Sequence, residues 1–391
     1  MSTILSNRVQ KIKPSATMAV SDKAKQLKAQ GVQIISMGSG EPDFDTPVNI
    51  QKAATQAIGA GETRYTAVDG TPQLKKAICE KFKRENGLDY SVNEVMVSSG
   101  GKQVFYNLCQ AILSKGDEVI IPAPYWVSYP DIAILADATP VFIETGLEQE
   151  FKITAEQLES SINANTKLFV LNSPSNPTGA VYTKSEIESL GKVLERHPHV
   201  HVISDDIYEH IRWEDDAFVN IAMACPNLKD RTIILNGVSK AYAMTGWRIG
   251  YAAGPEEIIK AMKKIQGQST SNPSSISQAA ALEAISGDQS FINMMVEAFE
   301  RRHNFLVDSL NAIDGIECPQ SRGAFYSFPR VQNLIERLGL KDDVEFSTYC
   351  LDKISLALVP GSAFGAPGYV RLSFATSMDN LKLAIERLSN I

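Results

Sequence analysis

The chain has 391 residues, of which 44% are hydrophobic and 21% are charged, and its formal net charge is −7. Because domains usually contain about 100–200 residues, this length favours two domains over one. The mixed and mildly acidic charge argues against nucleic acid or an anionic membrane as the main partner. No stretch approaches the ~18 consecutive apolar residues of a membrane span, and the first residues show no secretory pattern.

Five cysteines are scattered along the chain and form no CxxC pair. An odd number at wide spacing is typical of reduced thiols rather than of a disulfide framework or a zinc site. We therefore expect a cytoplasmic protein without a bound metal. The cysteines are Cys79, Cys109, Cys225, Cys318 and Cys350.

The head of the chain holds one helix candidate, TMAVSDKAKQLKAQG, followed by VQIISMGSGEPDF. From about residue 93 an apolar, β-branched run repeatedly ends in small or polar residues before a helical pattern begins. These runs are EVMV (94–97), DEVIIP (117–122), TKLFVLN (166–172), HVHVIS (199–204) and RTIILNGV (231–238). The alternation predicts an α/β fold with a mostly parallel central sheet flanked by helices. Ligands of such sheets bind beyond the carboxyl ends of the strands.

The tail has a different pattern. Residues 289–313, QSFINMMVEAFERRHNFLVDSLNAI, read as one long amphipathic helix, and GAFYSF, SLALVPG and YVRLSFA read as strands after it. We therefore expect a large ligand-binding domain over residues 48–290. A smaller α+β domain is expected from residues 1–47 together with 291–391.

The stretch SKAYAMTGWRIGY (239–251) carries Lys240 and Arg248. Lys240 follows a strand that reads as buried, and partial desolvation lowers the pKa of a lysine and favours its neutral amine. A neutral amine can form an imine with a carbonyl, whereas the planar Arg248 guanidinium is suited to a phosphate. Together they suggest pyridoxal 5′-phosphate, although Lys240 could also be an ordinary solvated lysine.

Two strand ends supply further candidates for this cofactor. SSGGKQ (98–103) begins a helix whose free N–H groups suit a phosphate, which places Ser99, Gly100, Gly101 and Lys102 around it. An ordinary strand-to-helix turn explains the same motif. In ISDDIYEHI (203–211) either Asp205 or Asp206 could pair with a protonated pyridine nitrogen. Tyr208, one helical turn on, could bind the ring oxygen, although a helix-capping aspartate and a packed tyrosine fit equally.

Two loops complete the candidate set. NSPSNPTG (172–179) is a rigid loop after a strand, and its Asn176 could present an amide to the same ring oxygen. PYWVSYP (124–130) contains Trp126, which could stack on a flat cofactor ring or lie in the core.

As an ordered set, these motifs and GEPDFDTP resemble the class I and II aminotransferases of the fold-type-I pyridoxal-phosphate enzymes. Within them the chain looks like the bacterial aspartate aminotransferase subgroup, some of whose members accept prephenate. The resemblance runs from VQKIKPSAT to YVRLSFATS, which is nearly the whole chain. It implies a homodimer of the fold described above, with pyridoxal 5′-phosphate as the cofactor.

The resemblance also implies roles at matching positions. Lys240 would bond to the cofactor and then serve as the general base, and Asp205, three residues before Tyr208, would take the pyridine nitrogen. Asn176 and Tyr208 would bind the ring oxygen, and Trp126 would lie against the ring. The phosphate region would be formed by Gly100, Gly101, Lys102 and Arg248.

Four further positions match by resemblance alone. Tyr65, in TRYTAVDG, would reach the phosphate of the neighbouring subunit. Arg371 would pair with the substrate α-carboxylate, supported by the backbone of Gly40, and Lys13 would meet a distal carboxylate. One position departs from the family, because Gly237 stands where many members carry a phosphate-binding serine.

The implied reaction transfers the amino group of L-aspartate to 2-oxoglutarate by a ping-pong mechanism, with prephenate as an additional acceptor. An aromatic or alanine aminotransferase, or a C–S lyase on the same scaffold, is the alternative within the same cofactor class. A cofactor-binding transcription regulator would require an added DNA-binding module, which we do not expect in this sequence.

Overall fold

A computed structural model describes residues 4–14, 16–214 and 216–391, without the side chains of Ala16 and Ser21. Its helices, in chain order, are α1 Asn7–Lys11, α2 Ala16–Ala29, α3 Val48–Gly59, α4 Pro72–Asn86, α5 Gly101–Ile112, α6 Ser128–Leu135, α7 Ala155–Ser161, α8 Lys184–Arg196, α9 Ile221–Ala224, α10 Glu256–Gly267, α11 Ser275–Ser286, α12 Ser290–Asn311, α13 Gln332–Arg337, α14 Asp343–Ile354 and α15 Met378–Leu388. In the described part of the chain, no helix is both long and apolar enough to cross a membrane.

The strands form one large sheet and two small ones. They are β1 Ile35–Ser36, β2 Val95–Ser98, β3 Glu118–Ala123, β4 Thr139–Glu144, β5 Thr166–Asn172, β6 His201–Asp205, β7 Thr232–Gly237, β8 Gly250–Ala253, β9 Tyr326–Ser327, β10 Leu356–Ala357, β11 Val359–Pro360 and β12 Val370–Ser373. The large sheet has the order β2-β8-β7-β6-β5-β3-β4. Strands β7, β6, β5, β3 and β4 are parallel, which confirms the predicted mostly parallel sheet.

The first predicted run does not join the parallel set. Strand β2 pairs only with β8, and β8 is antiparallel to both β2 and β7. The cause is the connection after β7, because residues 238–249 form a compact loop with a single 3₁₀ turn instead of a crossover helix, so the chain returns antiparallel. Strands β4 and β8 were not among the predicted runs.

The N-terminal segment pairs with the C-terminal part of the chain. Strand β1 is parallel to β10, and the Met37 N–H donates to the Ala357 carbonyl at 2.8 Å. Strands β11, β12 and β9 form an antiparallel sheet beside them. A core separate from that of the large sheet contains Ile35, Met37 and many side chains after residue 291. The expected division into a large domain (48–290) and a smaller one (1–47 with 291–391) stays a prediction.

Local sequence signals explain where helix α4 begins and ends. The Thr71 hydroxyl accepts from the Leu74 N–H, Pro72 occupies the first turn, and Gly87 ends the helix with φ of 64°. Its inner face packs on β2 and β8 through apolar residues, but it also buries Lys81. The helix therefore delivers a lysine into the interior beneath the ends of β6 and β7.

Candidate active site

A cavity of about 400 Å³ lies at the carboxyl ends of the parallel strands and is roofed by the N-terminal segment. Its lining brings together most of the predicted site residues from seven separate stretches of the chain. The predicted residues that line it are Gly40, Gly101, Lys102, Trp126, Asn176, Asp205, Tyr208, Lys240, Arg248 and Arg371. The strand ends of the large sheet and the smaller C-terminal sheet therefore meet in one site.

Lys240 follows β7 and points into this cavity, with its Nζ 5.9 Å from the ring centres of Tyr208 and Phe325. Its ammonium donates to the Gly40 carbonyl at 2.5 Å. Burial, and then the positive charge of Arg371, lower the pKa of Lys240 to about 8. The lysine thus has an accessible neutral form, which a nucleophilic amine requires.

Arg248 lies at the end of the short loop that follows Lys240, in the left-handed backbone region with φ of 59°. Its guanidinium donates to the Thr245 carbonyl at 3.0 Å and to the Ser99 carbonyl at 3.3 Å. Gly100 is packed so closely that a Cβ there would overlap this guanidinium. The strained turn and the missing side chain together bring Arg248 against the start of α5.

The beginning of α5 and two exposed cations form an anion cradle. Gly101 and Lys102 are the first residues of the helix, so their backbone N–H groups are free to bind an anion. Although the Lys102 side chain reaches solvent, the surrounding protein partly desolvates its ammonium, and this desolvation and then the charge of Arg248 lower its pKa. Its Nζ lies 5.3 Å from the centre of the Trp126 ring. Ser99 does not line the cavity, and its contribution is the carbonyl that holds Arg248.

The structure separates the two neighbouring aspartates. Asp205 faces the cavity, whereas Asp206 points away and accepts from Ser204 at 2.6 Å and from Asn220 at 2.7 Å. Burial raises the pKa of Asp205 to about 6, opposed chiefly by the Tyr129 hydroxyl, which donates to its Oδ2 at 2.5 Å. The predicted helix after Asp205 is wrong, because residues 207–210 form turns.

Three polar side chains face the cavity beside Asp205. The Tyr208 and Tyr326 hydroxyls are 2.9 Å apart, and both rings are buried. Asn176 is also buried and accepts from Arg371 through its Oδ1 at 2.9 Å. These groups can bind a polar ring substituent without meeting bulk water.

Arg371 lies in β12 with only 2% of its surface exposed, stacked 4.4 Å from the Tyr326 ring centre. Its partners are the carbonyl oxygens of Asn176 and Gly38, and its buried Nε has no partner. None of the described acidic residues forms an ion pair with it. Because a buried charge is costly when it is unpaired, this guanidinium is arranged for an anionic ligand.

Trp126 lies partly buried at the cavity wall, edge-on to Tyr129 with ring centres 5.2 Å apart. Its ring faces the cavity with Lys102 on one side. The wall therefore offers a flat aromatic surface to a planar ligand.

Besides Ser99 and Gly100, which directly precede α5, two predicted residues do not line this cavity. Tyr65 is 93% exposed, and Lys13 is exposed with its backbone N–H directed to Asp131 at 3.4 Å. The single chain therefore does not bring either side chain to the site. Gly237 has no room for a serine, because a Cβ there would approach the Ile249 carbonyl at 2.9 Å, whereas Ser239 lines the cavity.

Sequence reasoning missed Tyr129, Tyr326 and Glu41, all of which line the cavity. Tyr129 was visible in PYWVSYP, three residues after Trp126 and thus one turn away. Tyr326 lies in a two-residue strand whose pairing depends on distant segments, so no local signal identified it. Glu41 accepts from the Thr245 hydroxyl at 2.8 Å, a contact across 204 residues.

The donor set fits pyridoxal 5′-phosphate. Among the described lining residues, Lys102, Lys240, Arg248 and Arg371 face only Asp205 and Glu41 as acids, so the cavity is suited to ligands that bring negative charge. A phosphate suits the α5 cradle, a carboxylate suits Arg371, and a protonated ring nitrogen suits Asp205. Trp126 supplies the face for the ring.

Comparison with known proteins agrees with this geometry. The sequence profile described as aminotransferase class I and II matches residues 32–388. The aspartate/prephenate aminotransferase of Nitrosomonas europaea is 57% identical over 99% of both chains, and that of Cereibacter sphaeroides is 53% identical over 98% of this chain and 97% of its own.

Solved structures show the same fold. The aspartate aminotransferase of Rhizobium meliloti has a TM-score of 0.95 and 48% identity, over 100% of this chain and 98% of its own. That of Thermus thermophilus with maleate has a TM-score of 0.94 and 43% identity, over the whole of both chains. The chain therefore belongs to the class I and II aminotransferases, enzymes that use pyridoxal 5′-phosphate to exchange amino groups between amino acids and 2-oxo acids.

Proposed function

We propose that the chain transfers the amino group of L-aspartate to 2-oxoglutarate, giving oxaloacetate and L-glutamate, and that it also accepts prephenate. The names of its relatives support this substrate class. The observation that carries the proposal is Arg371, a buried guanidinium with an unpartnered Nε in the same cavity as Lys240. An α-carboxylate would supply the missing anion through two parallel hydrogen bonds.

The reacting groups are proposed from the cavity wall. Lys240 would hold the cofactor and, when released from it, move a proton between the substrate Cα and the cofactor, since its pKa of about 8 allows both forms. Asp205, kept ionised by Tyr129, would hold a proton on the ring nitrogen. Pyridoxal 5′-phosphate supplies the electron sink and carries the amino group between the two half-reactions.

Orientation of the substrate would come from the groups around Arg371. Asn176 and Tyr208 would bind the cofactor ring oxygen, Trp126 would cover the ring, and the Gly40 backbone would border the carboxylate. Arg248 and Gly101 would hold the phosphate, with Ser99 and Gly100 behind them. Because most of these groups are already hydrogen-bonded, little reorganisation is needed when the ligands bind.

Two lysines compete for the distal carboxylate of aspartate. Lys102 lines the cavity beside Trp126, whereas Lys13 is exposed in the segment that precedes α2. Lys102 also belongs to the phosphate cradle, and we propose that it is a second candidate for the distal carboxylate because it is already in place. Lys13, the residue that the resemblance implies, must approach by movement of the N-terminal segment. Such a closure would exclude water from the site.

The proposed assembly is a cytoplasmic homodimer in which Tyr65 reaches the partner's phosphate. Tyr65 is 93% exposed, and the nearby Val48 and Ile58 expose large apolar surfaces on α3. The free cysteines support the location. We also propose residues 48–290 as the large domain, and residues 1–47 with 291–391 as the small one. Of these, residues 1–3, 15 and 215 lie outside the described structure.

The test is spectroscopic and chemical. The purified chain reconstituted with the cofactor should absorb near the visible edge, and aspartate should convert this band to that of the amine form. Borohydride should place the cofactor's mass on Lys240 and not on a Lys240→Ala variant. A donor panel then decides the substrate: faster conversion by alanine or an aromatic amino acid than by aspartate, or release of thiol from a C–S substrate, would overturn the aspartate proposal.

A further inference from the structure

The two strand ends that carry the site also carry a second set of polar residues on their reverse side. After β6, Asp205 and Tyr208 line the cavity, whereas Glu209 is buried away from it. At the end of β7, Lys240 lines the cavity and Asn236 is buried behind it. The reaction proposed above uses only the residues on the cavity side.

Glu209 connects these reverse-side residues. Its Oε1 accepts from Asn236 Nδ2 at 2.7 Å and its Oε2 accepts from Asn86 Nδ2 at 3.1 Å. The Asn236 side-chain oxygen in turn accepts from the Gly237 N–H at 2.7 Å, three residues before Lys240. The carboxylate that follows Tyr208 is therefore bonded to the backbone that leads to Lys240.

Lys81 closes the network from helix α4. It is 1% exposed, and its ammonium donates to Glu209 and, at 2.9 Å, to Asn86 Oδ1. Its charge lowers the pKa of Glu209 against the opposing effect of burial. Other titratable groups lie close to this pair. Glu85 is 3.5 Å from Lys81, His210 is 3.7 Å from Glu209, and the buried Asp206 carboxyl interacts electrostatically with both Glu209 and Lys81.

A buried ion pair is a poor way to stabilise a fold. Removing two charges from water costs several kcal/mol each, and well-packed apolar side chains often give equal or greater stability. Such a network does, however, fix the direction of every group that it bonds. Packing alone does not require these buried charges. Because Glu209 and Asn236 adjoin the cofactor-facing residues, the charges indicate a role in orienting those residues.

We propose that Lys81, Glu209 and Asn236 are positioning residues that hold the loop bearing Asp205 and Tyr208 in register with the strand end bearing Lys240. This inference rests on the proposed roles of those three site residues. A shift of about 1 Å between them would misplace the amine relative to the ring nitrogen and ring oxygen, and misplacement of that size can cost ~10²-fold in rate.

The experiment compares removal of one charge with removal of both. Lys81→Met leaves Glu209 buried and unpaired, so the apo protein should unfold at a lower temperature. The double variant K81M/E209M removes both charges and should recover most of that loss, while Asn236 and Asn86 still lack their acceptor. We expect its kcat for aspartate to fall at least about tenfold and the cofactor Kd to rise similarly.

A matched control and a smaller variant keep the test decisive. Lys152→Met removes another lysine with little exposure and two carboxylate partners, Glu150 and Glu186, none of which lines the cavity. Its kcat and cofactor Kd should stay near those of the wild type. Asn236→Ala leaves the Lys81–Glu209 pair intact and cuts only the connection to Gly237, so it decides the question even if the double variant does not fold.

The outcomes are separable. If K81M/E209M, or Asn236→Ala where the former does not fold, keeps kcat and cofactor Kd within about twofold of wild type, the network is structural only and the inference fails. If the wild-type chain itself does not transaminate aspartate, the proposed substrate fails. The cofactor Kd of the same variants would then still test whether the network positions the cofactor-facing residues.

Discussion

The cavity has two regions whose polar groups differ in their hydrogen-bond and ion-pair partners. We call the buried region around Asp205 and Tyr208 the back, and the exposed region around Lys102 and Arg248 the mouth. At the back, Asp205 and Tyr208 are buried, and each accepts or shares a hydrogen bond with a buried tyrosine. At the mouth, Lys102 and Arg248 are exposed and have no acidic partner among the described residues. The back thus has fixed geometry before any ligand arrives, and the mouth does not.

This difference assigns the two parts different tasks. A catalytic carboxylate and phenol act best when their orientation costs nothing at the moment of reaction. A cation that has no acidic partner within the protein can form its ion pair with a ligand anion, so the energy of that ion pair contributes to ligand binding. Arg371 shares one property with each region. It is buried, as Asp205 and Tyr208 are, and its Nε has no partner.

The largest expected loss of activity tests whether Arg371 binds an anionic ligand as its missing ion pair indicates. Arg371→Leu removes two charge-assisted hydrogen bonds to the substrate carboxylate, each worth about 1.5–3 kcal/mol, so kcat/KM for aspartate should fall by ~10²-fold or more. Steady-state kinetics measure this loss. Arg371→Lys keeps the charge and loses the paired donors, so it should fall less. Equal kcat/KM for Arg371→Leu and wild type would remove the carboxylate role.

A pH titration of cofactor uptake tests whether Lys240 is partly desolvated in the cavity. The pKa of Lys240 is lowered to about 8, and only the neutral amine, which predominates above that pH, reacts with an aldehyde. The rate of reconstitution of the apo protein should therefore rise about 50-fold between pH 6 and 8 and level off above it. Stopped-flow absorbance follows the rate.

Arg371→Leu serves as the control for this titration. The positive charge of Arg371 helps to lower the pKa of Lys240, so its removal should move the midpoint to higher pH. A wild-type rate that keeps rising about tenfold per pH unit beyond pH 9 would show that the lysine is not partly desolvated as the structure indicates. A flat rate from pH 6 to 8 would show that titration of Lys240 does not control the reaction.

The sequence predicted the back of the cavity better than its mouth for a physical reason. Asp205, Asn176 and Lys240 follow strands that the apolar runs marked clearly, and the carboxyl ends of parallel strands must meet at one edge. The motifs therefore placed these side chains together without knowledge of the rest of the chain. Resemblance alone chose Asp205 over Asp206. In the structure Asp205 lines the cavity, whereas Asp206 is bonded to Ser204 and Asn220.

Other parts of the site depended on contacts that no local pattern shows. Tyr326 reaches Tyr208 across 118 residues, and β9, which carries it, has only two residues. Strand β8 turned antiparallel because a short loop replaced a crossover helix, and its sequence GYAA is mostly glycine and alanine, which are depleted in strands. The burial of Lys81 also depends on partners from distant segments, because a lysine on a helix is normally solvated.

A smaller effect should distinguish the two lysines proposed for the distal carboxylate. Lys102→Ser should lower kcat/KM for aspartate by about tenfold, while alanine, which has no such carboxylate, should change little. Lys13→Ala tests the alternative by the same measurement, and a loss specific to aspartate would show that the N-terminal segment moves inward. Equal losses for both donors would assign either lysine to the cofactor phosphate instead.

The smallest expected effect concerns Tyr65, which does not reach the cavity of its own chain. Tyr65→Phe removes a single hydroxyl at an exposed position, so the cofactor Kd should rise by only about three- to tenfold, which corresponds to the net ~1 kcal/mol of one ordinary hydrogen bond. Fluorescence titration of the apo protein measures this, with Tyr349→Phe on α14 as the control. Because Tyr65 is 93% exposed here, the effect requires a partner subunit, and cofactor retention by the wild type should weaken on dilution below the dimer's dissociation constant. An unchanged Kd in Tyr65→Phe would mean that the mouth is completed by Lys102 and Arg248 alone.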